Sequence, residues 1–170
     1  MLIGIWNYHE ILHRDNFMLS PNTNSVLGED VLKSFYEFTK DADLSEHEFK
    51  ILDDRLNFKT YDKFIFFNYP KLDKKIVKDA INSSKPKYLF NLECPTIYPQ
   101  TWNKDIYHKF DKIFTWHDDL IDNKKFFKIN TPSYSKDRIL NLPNNKKEKL
   151  CVIIGSNKKM TISMIFTIKD

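Results

Sequence analysis

Glu93 has the residue type and position that most directly suggest chemistry. It follows the apolar segment 88–92 and precedes Cys94 and Pro95, and the proline restricts the turn. A carboxylate there has apolar neighbours on one side and a crevice on the other, which would suit a general base. The alternative is a glutamate that caps the next helix or binds a backbone amide.

A zinc-peptidase pattern, HExxH, occurs at His9-Glu10-Ile11-Leu12-His13. On an α-helix the two histidines would share a face and could bind zinc, while Glu10 would activate water. The flanks lack the long amphipathic helix, the glycine and the third histidine of the extended motif, and neither Glu29 nor Glu37 stands out as a further ligand. The context argues against a metal site, and we predict none.

Two further groups of residues could also contribute to a site. His117-Asp118-Asp119, with Asp122 beyond, could share a hard cation, but two aspartates after a strand more often cap a helix. Tyr98, Trp102 and Trp116 could stack on a sugar ring or could pack in the core.

The surrounding sequence alternates between strand and helix patterns. Apolar runs predict strands at 2–8, 48–53, 62–68, 88–92, 111–116 and 126–129. Helical periodicity predicts helices at 27–40 and 72–82, and a third helix could span 102–110. Residues 9–24 are polar and are predicted to form a long loop with at most one helical turn.

This alternation predicts an α/β fold with an open, mostly parallel, Rossmann-like sheet and flanking helices. Ligands of such sheets bind at the carboxyl ends of the strands. Three polar segments follow predicted strands, namely those that begin at Asn68, Glu93 and Trp116. We therefore expect them to line one crevice.

Composition narrows the possible functions. Of 170 residues, 41% are hydrophobic and 29% charged, which is typical of a globular protein, and the 3 glycines almost exclude a glycine-rich phosphate loop. The net charge of +4 is spread along the chain, so nucleic-acid binding is not expected. Cys94 and Cys151 form no CxxC pair, which suits a reducing compartment. No signal peptide and no apolar run of about 18–20 residues is recognised, and we predict a cytoplasmic protein.

Several segments together resemble glycosyltransferase family 10, the α-1,3/α-1,4-fucosyltransferases. Residues 91–100, with Glu93-Cys94-Pro95, are similar to the segment in which a strand of those enzymes ends in Glu-Ser-Pro. Residues 61–68 are similar to their preceding strand, and residues 110–120 to a stretch of their bacterial and viral members. Residues 149–158 are similar to the strand that opens their second domain.

The resemblance implies one half of a GT-B architecture and inverting transfer of fucose from GDP-fucose to a glycan. It assigns the catalytic base to Glu93, acceptor binding to Asn68, Tyr98, Trp102 and Trp116, and donor binding to Ser156 and Asn157. Cys94 replaces the serine of the motif by another small side chain. GDP-fucose is the donor substrate and no tightly bound cofactor is implied. The acceptor would be a surface polysaccharide or lipopolysaccharide.

The implied domain organisation is an acceptor-binding domain at 1–135, a linker at 136–148, and the start of a GDP-fucose-binding domain at 149–170. Relatives continue with an arginine-bearing helix and a longer nucleotide-binding region, whereas residues 161–170 do not match them. We therefore expect an incomplete donor site and an inactive chain unless the rest is supplied. Alternatives are a non-catalytic glycan-binding remnant and the zinc peptidase, and the periphery of the inner membrane face is a second possible location.

Overall fold

The computed structural model describes residues 1–20, 33–43 and 46–130. Their order along the chain alternates strands with helices, as the sequence predicts. The strands are β1 (Leu2–Asn7), β2 (Glu48–Ile51), β3 (Lys63–Phe67), β4 (Lys87–Asn91), β5 (Lys112–Thr115) and β6 (Phe126–Lys128). The α-helices are α1 (Lys33–Asp43) and α2 (Lys75–Asn82). Five 3-10 helices complete the described part, at Glu10–Leu19, Phe58–Thr60, Pro99–Trp102, Lys104–Lys109 and Asp118–Leu120.

The six strands form one open sheet in the order β2-β1-β3-β4-β5-β6, and every neighbouring pair is parallel. This confirms the predicted α/β, Rossmann-like fold. Because the strands are parallel, the segments that follow β1, β3, β4 and β5 all lie at one edge of the sheet. The chain proceeds from β1 to β2 on one side and to β3 on the other, so the order reverses at β1.

Side chains of each strand alternate between two apolar layers. One layer joins Trp6, Phe64, Phe66 and Leu89 to the buried face of α2, whose members are Ile76, Val77, Ala80 and Ile81. The other layer joins Ile5, Phe67 and Ile51 to Leu12 and Met18 of the first 3-10 helix, with Phe35 of α1 packed against them. Helices therefore cover both faces, as parallel sheets require.

Three predicted elements differ from the observed ones. Helix α2 begins at Lys75, three residues later than predicted, and its amide at Ile76 is bound by the Asp54 carboxylate (3.3 Å). Residues 102–110 do not form one helix, because Asn103 interrupts them and caps the second 3-10 segment by accepting from the amide of Asp105 (2.9 Å). Helix α1 extends to Asp43, beyond the predicted end, while residues 27–32 of that prediction lie outside the described residues.

The prediction of a loop at 9–24 was wrong over Glu10–Leu19, which form a ten-residue 3-10 helix. Burial of Leu12 and Met18 against the sheet holds this helix in place. The amide of His9 also donates to Asn7 Oδ1 (2.8 Å), which orders the exit from β1. Among the described residues, no helix is both long enough and apolar enough to cross a bilayer.

Candidate functional site

Glu93 and Tyr8 meet above the carboxyl edge of the sheet. Tyr8 directly follows β1, and Glu93 lies two residues beyond the end of β4. The phenol hydroxyl of Tyr8 donates a hydrogen bond to Glu93 Oε1 and so bridges the intervening strand β3. Burial, together with this carboxylate, raises the pKa of Tyr8 far above its ordinary value. In this bond the phenol is the donor and the carboxylate the acceptor.

The backbone around Glu93 is held by two further side chains. The side-chain oxygen of Asn68, Oδ1, accepts hydrogen bonds from the backbone amides of Leu92 (3.0 Å) and Glu93 (3.2 Å). The indole N–H of Trp102 donates to the Glu93 carbonyl oxygen (2.9 Å). Side chain and backbone of Glu93 are thus fixed from β1, β3 and the 3-10 helix Pro99–Trp102.

Asn68 supports the site from below rather than facing its opening. Its side chain is fully buried, and its backbone has a φ of 59°, in the left-handed region that asparagine tolerates better than most residues. This conformation turns the chain at the end of β3 so that the amide oxygen reaches β4. The structure therefore gives Asn68, which we predicted to contact the acceptor, a structural contact with the segment that carries Glu93.

A tight turn follows Glu93. The amides of Ile97 and Tyr98 both donate to the carbonyl oxygen of Cys94 (3.1 and 3.0 Å), and Pro95 lies inside this turn. The turn brings the Tyr98 ring against the Tyr8 ring, edge to face, with centroids 5.2 Å apart. The Glu93 side chain itself neither caps a helix nor binds a backbone amide in the described part of the chain.

A cluster of aromatic residues adjoins the backbone of Glu93 through Trp102. Trp102 packs against Trp116 with ring centroids 5.6 Å apart, and against His117 at the same distance. Trp116 is 36% exposed, whereas the Trp102 N–H is already bonded to Glu93. Trp116 is therefore the ring that is more open to a ligand, and Trp102 is the ring that connects it to the backbone of Glu93.

A cleft of about 340 Å³ adjoins this cluster between the loops that follow β3 and β4. Tyr98 belongs to both, because its ring lines the cleft and touches Tyr8. Aromatic rings, aliphatic side chains, side-chain amides and one lysine line the cleft. The lining residues are Tyr69, Pro70, Lys71, Leu72, Tyr98, Gln100, Asn103 and Ile106. Mixed aromatic and amide linings of this kind suit a polar ligand with apolar ring faces, such as a sugar.

No family model matches the chain, and no curated protein and no solved structure is significantly similar to it. The fold is established by the parallel sheet itself.

The HExxH residues do not form a metal site. His9 precedes the 3-10 helix, and in a 3-10 helix side chains four residues apart point in different directions. His13 Nε2 accepts the amide hydrogen of Asn7 (3.0 Å), and its ring packs on Trp6 with centroids 4.3 Å apart. His9 instead stacks on Tyr8 at 4.0 Å. This geometry does not favour the zinc-peptidase alternative.

His117, Asp118 and Asp119 do not cap an α-helix as predicted. His117 occupies the N-cap of a short 3-10 helix without a side-chain capping bond, and the two aspartates lie in its first turn. Asp118 forms an ion pair with Lys128 of β6. Within the described ranges, no group of three histidine, cysteine, aspartate or glutamate side chains could hold a metal ion.

Most of the predicted acceptor residues are brought together. Trp102 and Asn68 bind the Glu93 backbone, Trp116 packs on Trp102, and Tyr98 packs on Tyr8. Ser156 and Asn157, the predicted donor residues, and the predicted linker and second domain lie outside the described residues. Tyr8 was missed, because its separation of 85 residues from Glu93 leaves no local pattern. Its place as the last residue of a predicted strand was the one available indication.

Proposed function

We propose that the described residues form the acceptor-binding part of an inverting fucosyltransferase in which Glu93 is the general base. The observation that carries this proposal is the Glu93 side chain that Tyr8 holds at the carboxyl edge of the sheet. A sugar-sized cleft begins at Tyr98, which touches Tyr8, and the exposed Trp116 packs on Trp102, which binds the Glu93 backbone. The Glu-Cys-Pro segment, with its resemblance to the family's Glu-Ser-Pro motif, supports the same role.

The proposed reaction is a single displacement. An acceptor hydroxyl, held by the sugar's contacts with Trp116 and Tyr98, donates its proton to the Glu93 carboxylate as its oxygen attacks the anomeric carbon of fucose. The bond from that carbon to the diphosphate breaks, and its electron pair leaves with GDP. Attack opposite the leaving group inverts the anomeric configuration. Orientation of the hydroxyl against a pre-positioned carboxylate contributes much of the rate enhancement.

Calorimetric titration of the whole chain with GDP-fucose and, separately, with N-acetyllactosamine tests the binding part of the proposal. We expect N-acetyllactosamine to bind and Trp116→Ala to weaken this binding. Clear binding of GDP-fucose as well would show that the chain should be assayed as an enzyme by itself. Failure to bind any glycan acceptor would contradict the proposal.

The catalytic part is tested by Glu93→Gln, which keeps the size of the side chain and removes its charge. Where the chain turns over GDP-fucose, alone or with the rest of the donor site supplied, we expect turnover to fall by a factor of about a hundred or more, in line with the loss of a general base. Glu48→Gln is the matched control, because Glu48 is an exposed glutamate at the opposite edge of the sheet. Full activity of Glu93→Gln would exclude Glu93 as the base.

A non-catalytic glycan-binding module is the second candidate. The exposure of Trp116 and the adjoining cleft favour it, because both would bind a sugar whether or not Glu93 takes a proton. It predicts acceptor binding that Glu93→Gln leaves intact, together with no turnover when donor is supplied.

A further inference from the structure

Tyr8 occupies a special place in the sheet. It follows the strand at which the strand order reverses, which is where open α/β sheets form their ligand crevice. Its ring is held by His9 on one side and Tyr98 on another, with centroids 4.0 and 5.2 Å away. A ring confined in this way keeps its hydroxyl directed at Glu93.

We infer that Tyr8 is a positioning residue for Glu93. The Tyr8 hydroxyl fixes one oxygen of the Glu93 carboxylate and leaves the other oxygen to the substrate hydroxyl. Within the described part of the chain, Oε1 is the Glu93 side-chain oxygen that accepts a hydrogen bond, and it accepts from Tyr8. The inference builds on the base role proposed above for Glu93, although the hydrogen bond can be examined without any substrate.

The hydrogen bond from Tyr8 restricts the Glu93 side chain. A glutamate side chain has three rotatable bonds, and ordering it costs conformational entropy. The bond to Tyr8, together with the backbone contacts from Asn68 and Trp102, orders the side chain before substrate arrives. A substrate hydroxyl then meets a base that is already oriented, which lowers the barrier to proton transfer.

Three titratable groups contact the Tyr8 side chain. Glu93 accepts from the Tyr8 phenol, Tyr98 touches its ring edge to face, and His9 stacks on it. Asp73 acts on Tyr98, whose pKa is raised first by burial and then by that carboxylate. Removing the Asp73 charge should therefore affect Tyr98 and leave the Tyr8–Glu93 hydrogen bond in place.

The first experiment is proton NMR of the whole chain without ligand. A phenol proton held by a carboxylate exchanges slowly and gives a signal far downfield, which we expect in the natural protein and in the Asp73→Asn control. The signal should vanish in Tyr8→Phe and in Glu93→Ala. Its absence from the natural protein, or its persistence in Glu93→Ala, would overturn the inference whatever the function of the protein.

The second experiment adds N-acetyllactosamine to saturation. If the acceptor uses the free carboxylate oxygen, the Tyr8 proton signal should shift but persist. Loss of the signal on binding would show that the acceptor displaces Tyr8, which would overturn the positioning role. Absence of any acceptor binding would refute the proposed function and the positioning role together, while the ligand-free signal would still establish the hydrogen bond.

Kinetics of a chain that turns over GDP-fucose, alone or with the rest of the donor site supplied, separate positioning from general structural support. We expect Tyr8→Phe to lower kcat about tenfold while KM for the acceptor changes by less than about twofold. Tyr88→Phe is the control, because Tyr88 lies within β4 and away from the crevice. An unchanged kcat in Tyr8→Phe, or a rise in KM without a fall in kcat, would contradict the inference.

Discussion

At the scale of single residues, the site depends on side chains that bind backbone groups of distant segments. Asn68 and Trp102 do not need to touch substrate to matter, because each fixes the peptide groups on either side of Glu93. A buried amide that loses such a partner costs more than the hydrogen bond itself contributed. Substitutions at these positions should therefore change stability and the position of Glu93 together.

Asn68 contributes both an acceptor oxygen and a left-handed backbone conformation, and two substitutions separate these contributions. Asn68→Ala removes the acceptor for two amides and places alanine at a φ of 59°, so we expect the free energy of unfolding to fall by roughly 2–4 kcal/mol. Asn68→Gly removes the same acceptor but tolerates the backbone, and should be more stable than the alanine variant by about 1 kcal/mol. Denaturation by urea measures both. Equal stabilities would show that backbone strain plays no part.

Gly4 lies where the surrounding side chains leave no room for a Cβ atom. A Cβ at Gly4 would lie 2.8 Å from Leu52, 2.9 Å from the Phe64 ring and 3.0 Å from the Tyr61 ring. We expect Gly4→Ala to lower the free energy of unfolding by about 1–3 kcal/mol through overpacking. Ser84→Ala, at an exposed position after α2, should change it by less than about 0.5 kcal/mol. A Gly4→Ala variant as stable as that control would contradict the packing described here.

At the scale of elements, polar side chains decide where strands and helices begin. Asp122 shows this most clearly, since its Oδ1 accepts from the amides of Lys124, Lys125 and Phe126 (2.8 Å each) just before β6. These three bonds lower the pKa of the Asp122 carboxyl below its ordinary value of 3.8. The turn thereby sets the register of the last described strand.

The Asp122 turn gives a prediction for stability against pH. Because the folded state lowers the pKa of Asp122, the folded state binds this proton less tightly than the unfolded state. The stabilisation is then complete above 3.8 and is lost as the pH falls through the lower, folded value. Asp122→Asn keeps an acceptor oxygen but cannot ionise, so its melting temperature should lie below that of the natural protein near pH 6 and approach it under strong acid. A difference that does not depend on pH would contradict this account.

Elements with a strong apolar pattern could be predicted from the sequence, and those held by polar contacts could not. Strand β3 was predicted to within one residue at each end. Four of its five residues form the continuous apolar run 64–67, and polar residues lie on either side of this run. The 3-10 helix Glu10–Leu19 has no such pattern. Its start depends on the hydrogen bonds that join Asn7 to His9 and His13. Likewise Glu93 was identified from its local context, whereas its partner Tyr8 required the order of strands in the sheet.

At the scale of the whole described structure, one sheet is shared by two apolar layers. Phe66 belongs to the layer under α2, and Phe67, the next residue of β3, belongs to the layer under the first 3-10 helix and α1. Four phenylalanines on adjacent strands continue the second layer toward β6, namely Phe67, Phe90, Phe114 and Phe127, with ring centroids 4.6–5.8 Å apart. The central strands thus couple the two layers mechanically.

This coupling predicts how a core substitution spreads. Phe66→Ala should remove about 3–5 kcal/mol from the free energy of unfolding, because Phe66 is completely buried. If the layers unfold together, amide hydrogen exchange should accelerate by a similar factor, about a hundred or more, in β1, β3 and β4 and in the first 3-10 helix on the opposite face. Phe114→Ala, at a half-buried position, should produce a smaller and equally general acceleration. Acceleration confined to α2 and the strands beneath it would show instead that the two layers open independently.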